Sequence, residues 1–165
     1  MTPKRKEKLV SVEAAARIIK HGMTIIIGGI LSANHSMAII RQVIKNGTKD
    51  LTVIGAASTG LEVDLLIGAG CVRVVNTSYL SGENLVGVGP CFRRAVESGE
   101  VELWEQSEGG LSAGLRAGAV GLPFMPIRGG IGTSLPDLNP EIKVFNDPIK
   151  GEPLLAIPAL KPDVA

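Results

Sequence analysis

Glu108 stands at the head of a run of small residues, Ser107-Glu108-Gly109-Gly110-Leu111 through Arg116-Ala117-Gly118. A carboxylate just before a helix that begins near Gly110 is favoured in its ionised form by the helix dipole, and once ionised it can attack a thioester carbonyl or activate water. Beyond Pro123 the phrase Arg128-Gly129-Gly130-Ile131-Gly132-Thr133-Ser134 adds a glycine-rich loop. A carboxylate, a helix N-terminus and a backbone cradle are parts from which an acyl-transfer site can be built. The plain alternative is a first-turn acid worth roughly a few tenths of a kcal/mol to its helix. Gly109 and Gly110 count against that alternative, because close approach of a ligand needs glycines and a helix start does not.

Two other loops, and Arg128 in the glycine-rich one, carry candidate contacts. Gly28-Gly29-Ile30-Leu31-Ser32-Ala33-Asn34-His35-Ser36 offers backbone N–H groups at a strand-to-helix turn, with Gly28, Gly29, Ser32 and Asn34 as candidate ligands for a phosphate or carbonyl oxygen. It has neither the dinucleotide fingerprint nor the lysine of a P-loop. His35 has no His, Cys or carboxylate near it in sequence and reads as a polar loop residue rather than a metal ligand. In Ser81-Gly82-Glu83-Asn84, Glu83 and Asn84 either bind a polar ligand or cap the following helix. Arg128, with Gly130 and Gly132 behind it, either meets a phosphate or carboxylate or is a solvated loop arginine.

The elements that must position these residues alternate. Val12, Ala15, Ala16, Ile18 and Ile19 recur at helical spacing over 11–21, with Ser11 as cap and Gly22 as stop. Thr24–Ile27 is a β-branched run expected to be buried on both faces. A helix follows from Met37 to Ile44, then a strand at Leu51–Ile54, an apolar turn at Val63–Ile67 and a third strand at Cys71–Val75. A helix over Phe92–Val96, a short strand at Val101–Leu103, a helix from Leu111 to Val120 and an extended segment at Pro123–Ile127 come next. Gly114, Ala117, Gly118 and Ala119 would let that last helix approach a sheet closely. Strands at Ile142–Phe145 and Leu154–Ile157 lead to Leu160–Ala165, which reads as the entrance to another strand. The pattern predicts an α/β fold with an open, mostly parallel sheet, and ligands bound beyond its C-terminal strand ends.

Composition sets outer bounds. The chain of 165 residues fits one domain, 1–165, able to bury a core without staples. Seventeen Lys and Arg balance sixteen Asp and Glu, so no overall field gathers nucleic acid or an anionic membrane, and Lys4-Arg5-Lys6 with Lys8 reads as a solvated terminus. Cys71 and Cys91 match no disulfide or zinc spacing, and no apolar run suits a signal peptide or membrane span, which together favour a cytoplasmic protein with no metal. With aromatics at only 3%, the core must be filled by Ile, Val, Leu and Ala, which suits a parallel sheet under small-faced helices.

Taken in order, these phrases resemble the alpha (A) subunit of family I CoA-transferases, the glutaconate, acetate and 3-oxoacid enzymes among them. His21-Gly22-Met23-Thr24-Ile25-Ile26-Ile27-Gly28-Gly29 is similar to the family's opening signature, with His21, Ile30, Asn34 and Ser36 where Asp/Asn, Phe, Gly and Pro are usual. Ser78-Tyr79 with Gly82-Glu83-Asn84, and Arg116-Ala117-Gly118 through Gly121-Leu122-Pro123, extend the match over nearly the whole chain. The resemblance implies a three-layer α/β fold, a beta-subunit partner that supplies the nucleophilic glutamate, and ping-pong transfer of CoA between an acyl-CoA and a carboxylic acid. The CoA thioester would be substrate, with no permanently bound cofactor. The family's alpha chains are usually longer, so the resemblance also suggests a chain incomplete at its C-terminus. Glu108-Gly109 followed by Leu111 is similar as well to CoA-transferase-like hydrolases that open rings of CoA thioesters, in which a glutamate at the matching place serves catalysis. A third reading is a non-catalytic ligand-binding α/β module.

Overall fold

The computed structural model describes residues 8–30, 33–56, 59–82 and 86–165. Four short strands, β1 (Thr24–Ile27), β2 (Leu51–Gly55), β3 (Val72–Thr77) and β4 (Glu102–Glu105), form a parallel sheet in the order β1-β2-β3-β4. The crossovers are α2 (Met37–Lys45), α3 (Leu61–Gly68) and α4 (Pro90–Glu97), with α1 (Val12–Ala16) ahead of the sheet. Strands laid down in sequence order by right-handed crossovers put those helices on one face. The core between them and the sheet includes Ile25, Ile40, Val43, Leu51, Val53, Val63, Leu66 and Val75.

The local signals explain most boundaries. Ser11 Oγ accepts from Ala14 N at 3.2 Å and starts α1, which stops at Ala16 rather than running on to His21. The amphipathic α2 buries Ile40 and Val43 and ends where Gly47 takes a φ of 68°. The segment Val63–Ile67, read from sequence as an apolar turn, is the body of α3. Its apolar residues are buried almost all round, so no helical stripe distinguishes it. Every residue of β2 is buried, but β1 is only half-buried apart from Ile25, because it lies near the sheet's edge.

The expected alternation continues through α5 (Glu108–Val120), but the last strands do not join the first sheet. β5 (Phe124–Ile127), β6 (Lys143–Asn146) and β7 (Pro153–Pro158) form a separate antiparallel sheet in the order β5-β7-β6, with the one-turn α6 (Leu135–Leu138) between β5 and β6. Ala113, Leu135, Ile142, Leu155 and Ile157 make its core. The small face of α5 meets the segment after β7: a Cβ on Gly118 would lie 2.1 Å from Leu160 O, and one on Gly114 2.8 Å from Pro158 O. The chain then returns to β1. Asp163 exchanges hydrogen bonds with Thr24, its Oδ2 accepting from Thr24 N and its N donating to Thr24 O, each at 2.8 Å. Val164 bridges Ile25 in parallel, so the strand entrance expected at 160–165 begins on the outer edge of β1.

Candidate functional site

A parallel sheet aims its strand ends, and the loops that leave them, at one side of the molecule. Here the loops after β1, β2 and β3 enclose a cavity of about 360 Å³. Asn34 and His35 come from the first loop, Gly60 and the start of α3 from the second, and Leu80, Ser81, Gly82 and Gly89 from the third.

His35 forms the polar floor, with Glu62 packed behind it. His35 Nδ1 lies 3.4 Å from Glu62 Oε2, and their side chains are 4% and 0% exposed. Glu62 Oε1 accepts from Gly60 N at 3.0 Å, which fixes the carboxylate at the head of its own helix. The imidazole sits where a side chain on Gly29 would be: a Cβ there would lie 2.3 Å from His35 Nδ1. Gly29 has a φ of 139°, so both its backbone and its neighbour demand glycine. Gly28, by contrast, has open space on its Cβ side.

Asp64 supplies a second acid to the wall. Its Oδ1 accepts from Phe92 N at 2.8 Å, an N–H in the first turn of α4 that the capping residue Gly89 has no side chain to satisfy. Gly89 is obligatory for the same reason, since a Cβ would lie 2.6 Å from Asp64 Oδ1. Beneath the loops Thr77 Oγ1 donates to Tyr79 O at 2.9 Å, so the 2.6 Å contact between Thr59 and Thr77 has Thr59 as donor. A neighbouring depression of about 390 Å³ shares Leu80 and Ser81 with the cavity and is lined also by Glu105 at the end of β4. Burial pushes the Glu105 carboxyl above the usual carboxylate range.

A family model described as Coenzyme A transferase matches residues 10–165. The chain belongs to the coenzyme A transferase family. The A chain of the 3-oxoadipate CoA-transferase of Pseudomonas knackmussii is 38% identical over 161 residues, covering 96% of this chain and 56% of that protein. A cholesterol ring-cleaving hydrolase IpdA subunit of Rhodococcus jostii is 34% identical over 167 residues, covering 98% of this chain and 56% of the relative. The glutaconate CoA-transferase crystal structure from Acidaminococcus fermentans superposes with a TM-score of 0.88 at 27% identity, over 96% of this chain and 55% of that one. The chain thus spans about half the length of these relatives. The fold expected from sequence, α/β with a parallel sheet, is the fold of this family.

Within this coenzyme A transferase chain the candidates from sequence fall in three places. Asn34 lines the cavity with a left-handed φ of 62°, and Gly29 packs against the lining residue His35. Ser32, Glu83 and Asn84 lie outside the described residues. Arg128 lines a shallow apolar depression on the second sheet and pairs there with Glu152. Gly130, at φ 92°, has Leu155 Cδ1 2.8 Å from its Cβ position and serves packing of that sheet, and Gly132 also has a positive φ but faces open space. Glu108 is the exposed first residue of α5, behind Ser107, whose Oγ caps Gly110 N at 3.0 Å. Gly110 is buried, with Gln106 Oε1 2.1 Å from its Cβ position, so its lack of a side chain is used by this chain's own glutamine.

His35 with Glu62, Asp64 and Glu105 are the groups that sequence reasoning did not single out for the site. A signal existed for two of them, since Glu62 and Asp64 are the acids in an otherwise apolar α3. Among the described residues no group of three or more His, Cys, Asp or Glu could hold a metal, and no helix is long and apolar enough to cross a membrane.

Proposed function

We propose that this chain is the alpha (A) subunit of a CoA-transferase that moves CoA from an acyl-CoA to a carboxylic acid, with the nucleophilic glutamate supplied by a beta subunit. The observation that carries the reading is the enclosed cavity at the strand ends of a chain whose family match runs from residue 10 to 165. The transferase names of its relatives support it. The CoA thioester is a substrate here, not a resident cofactor, and the reaction runs in the cytoplasm.

In this reading the partner's carboxylate attacks the thioester carbonyl and expels CoA thiolate, leaving a mixed anhydride. The thiolate then attacks the glutamyl carbonyl, releasing the first acid and leaving a glutamyl–CoA thioester. A second acid runs the steps in reverse. This chain's part is to hold the acyl group: the β1–α2 loop, kept open by Gly29, offers backbone donors, and the loops after β2 and β3 wall the acyl chain from water.

A second reading, hydrolysis of a ring in a CoA thioester, is favoured by Glu108, a solvent-reachable carboxylate at a helix N-terminus, and by the hydrolase relative from Rhodococcus jostii. One experiment separates the two. The complex recovered through a tag on this chain is incubated with acyl-CoA and treated with borohydride or hydroxylamine. Transfer predicts an adduct on a glutamate of the partner, and only an intermediate loss in Glu108→Gln. An active complex that yields no adduct, and whose turnover falls at least about a hundredfold in Glu108→Gln, would assign hydrolysis instead.

A further inference from the structure

The cavity at the strand ends is unusual in how its charges are spent. Two helices begin at its wall, α3 behind Gly60 and α4 behind Gly89, and helix N-termini are ordinarily places where an anion is held. Here the chain's own acids take one donor at each start. Glu62 Oε1 accepts from Gly60 N, and Asp64 Oδ1 from Phe92 N.

Among the described lining residues there is no lysine or arginine. The sole basic side chain is His35, and Glu62 lies against it. Asp64 adds a further negative group at 8% exposure. Asn34 and Ser81 are the cavity's uncharged polar side chains, and the larger part of the wall that a chain would touch is apolar: Met37, Leu61, Leu80, Val86 and Pro90.

We propose that this cavity takes the acyl chain of an uncharged, monocarboxylic acyl-CoA and rejects acyl chains whose far end carries a second carboxylate. The inference rests on the acyl-CoA reading above and names its substrate class. A terminal carboxylate in this cavity would be stripped of water with no lysine or arginine among the described lining residues to meet it, beside Asp64 and with Glu62 behind His35, whereas a methyl end gains from burial against leucine and methionine. The relatives named for 3-oxoadipate and glutaconate are named for dicarboxylic acids, so this chain's selectivity departs from theirs.

The test uses two five-carbon donors, pentanoyl-CoA and glutaryl-CoA, with acetate as acceptor and the complex recovered through a tag on this chain. The expected kcat/KM favours pentanoyl-CoA by about tenfold or more. Val86, 45% exposed on the cavity rim, can be changed without touching a core. Val86→Arg supplies the missing cation and should shift the ratio toward glutaryl-CoA by about tenfold. Inhibition by free pentanoate against free glutarate gives a second measure in the unmodified complex, with pentanoate expected to bind more tightly. Glutaryl-CoA or glutarate preferred, or a ratio unmoved by Val86→Arg, overturns the inference. Turnover of neither thioester overturns the acyl-CoA reading itself and this inference with it.

Discussion

Gly29 carries the sharpest prediction, because its missing side chain is the space in which His35 sits. In Gly29→Ala the new Cβ would lie 2.3 Å from His35 Nδ1 and 2.4 Å from Cε1, closer than any real contact, so the imidazole must leave. It has no easy retreat, being 4% exposed and backed by Glu62. Two costs add: roughly 1–3 kcal/mol for a non-glycine residue held in this backbone region, and roughly 1–3 kcal/mol for a buried polar group deprived of its partner. A total near 3 kcal/mol corresponds to a fall in Tm of about 6–12 °C for a chain of this size. The assay is a double-mutant cycle by thermal or urea unfolding with Gly29→Ala, His35→Ala and the pair. In the His35→Ala background only the backbone strain remains, so the cycle should show a coupling of about 1–3 kcal/mol. Effects that add within about 0.5 kcal/mol would refute the seating of the imidazole over Gly29.

Two further outcomes follow from the neighbouring acids. Asp64→Ala removes the acceptor for Phe92 N and should lower stability by about 0.5–2 kcal/mol, as loss of a helix cap does, while Asp64→Asn, which keeps the oxygen, should recover most of it in the same unfolding assay. Glu105 is held above the usual carboxylate range by burial, so the folded state binds its proton more tightly than the unfolded chain does. Its contribution to stability is therefore full below the ordinary carboxyl pKa and is lost as pH rises through the raised one; urea midpoints taken across that window should fall with pH, and less steeply in Glu105→Gln.

What the sequence made legible was whatever is encoded within one turn or one strand. The period of Met37–Ile44 and the β-prone run of β2 announced themselves, as did the cap Ser11. The partner of a strand is not encoded that way. Nothing within Phe124–Ile127 or Pro153–Pro158 tells whether it joins the parallel sheet or begins a second one, and the antiparallel β5-β7-β6 arrangement came only with the structure. The helix α3 was hidden for a related reason: buried almost all round, it shows no polar face to set its period.

The same limit explains why Gly29 stood out in sequence as a candidate while its neighbour did not. A Gly-Gly after a strand is a local signal, whereas the meeting of His35 with Glu62 depends on β1 and β2 lying parallel and in register, Ile27 beside Gly55, so that the loops leaving them emerge side by side. Read alone, His35 had no carboxylate within reach and Glu62 was one acid in an apolar run. Brought together they set an acid directly behind the basic side chain of the wall, and Asp64, two residues on, adds another acid to it. The chemistry legible in sequence, glycines that allow a close approach, says only that something binds. In the reading proposed above, the acyl chain it tolerates depends on acids that look, in sequence, like ordinary helix-starting residues, and that in the fold each accept from one N–H at a helix start.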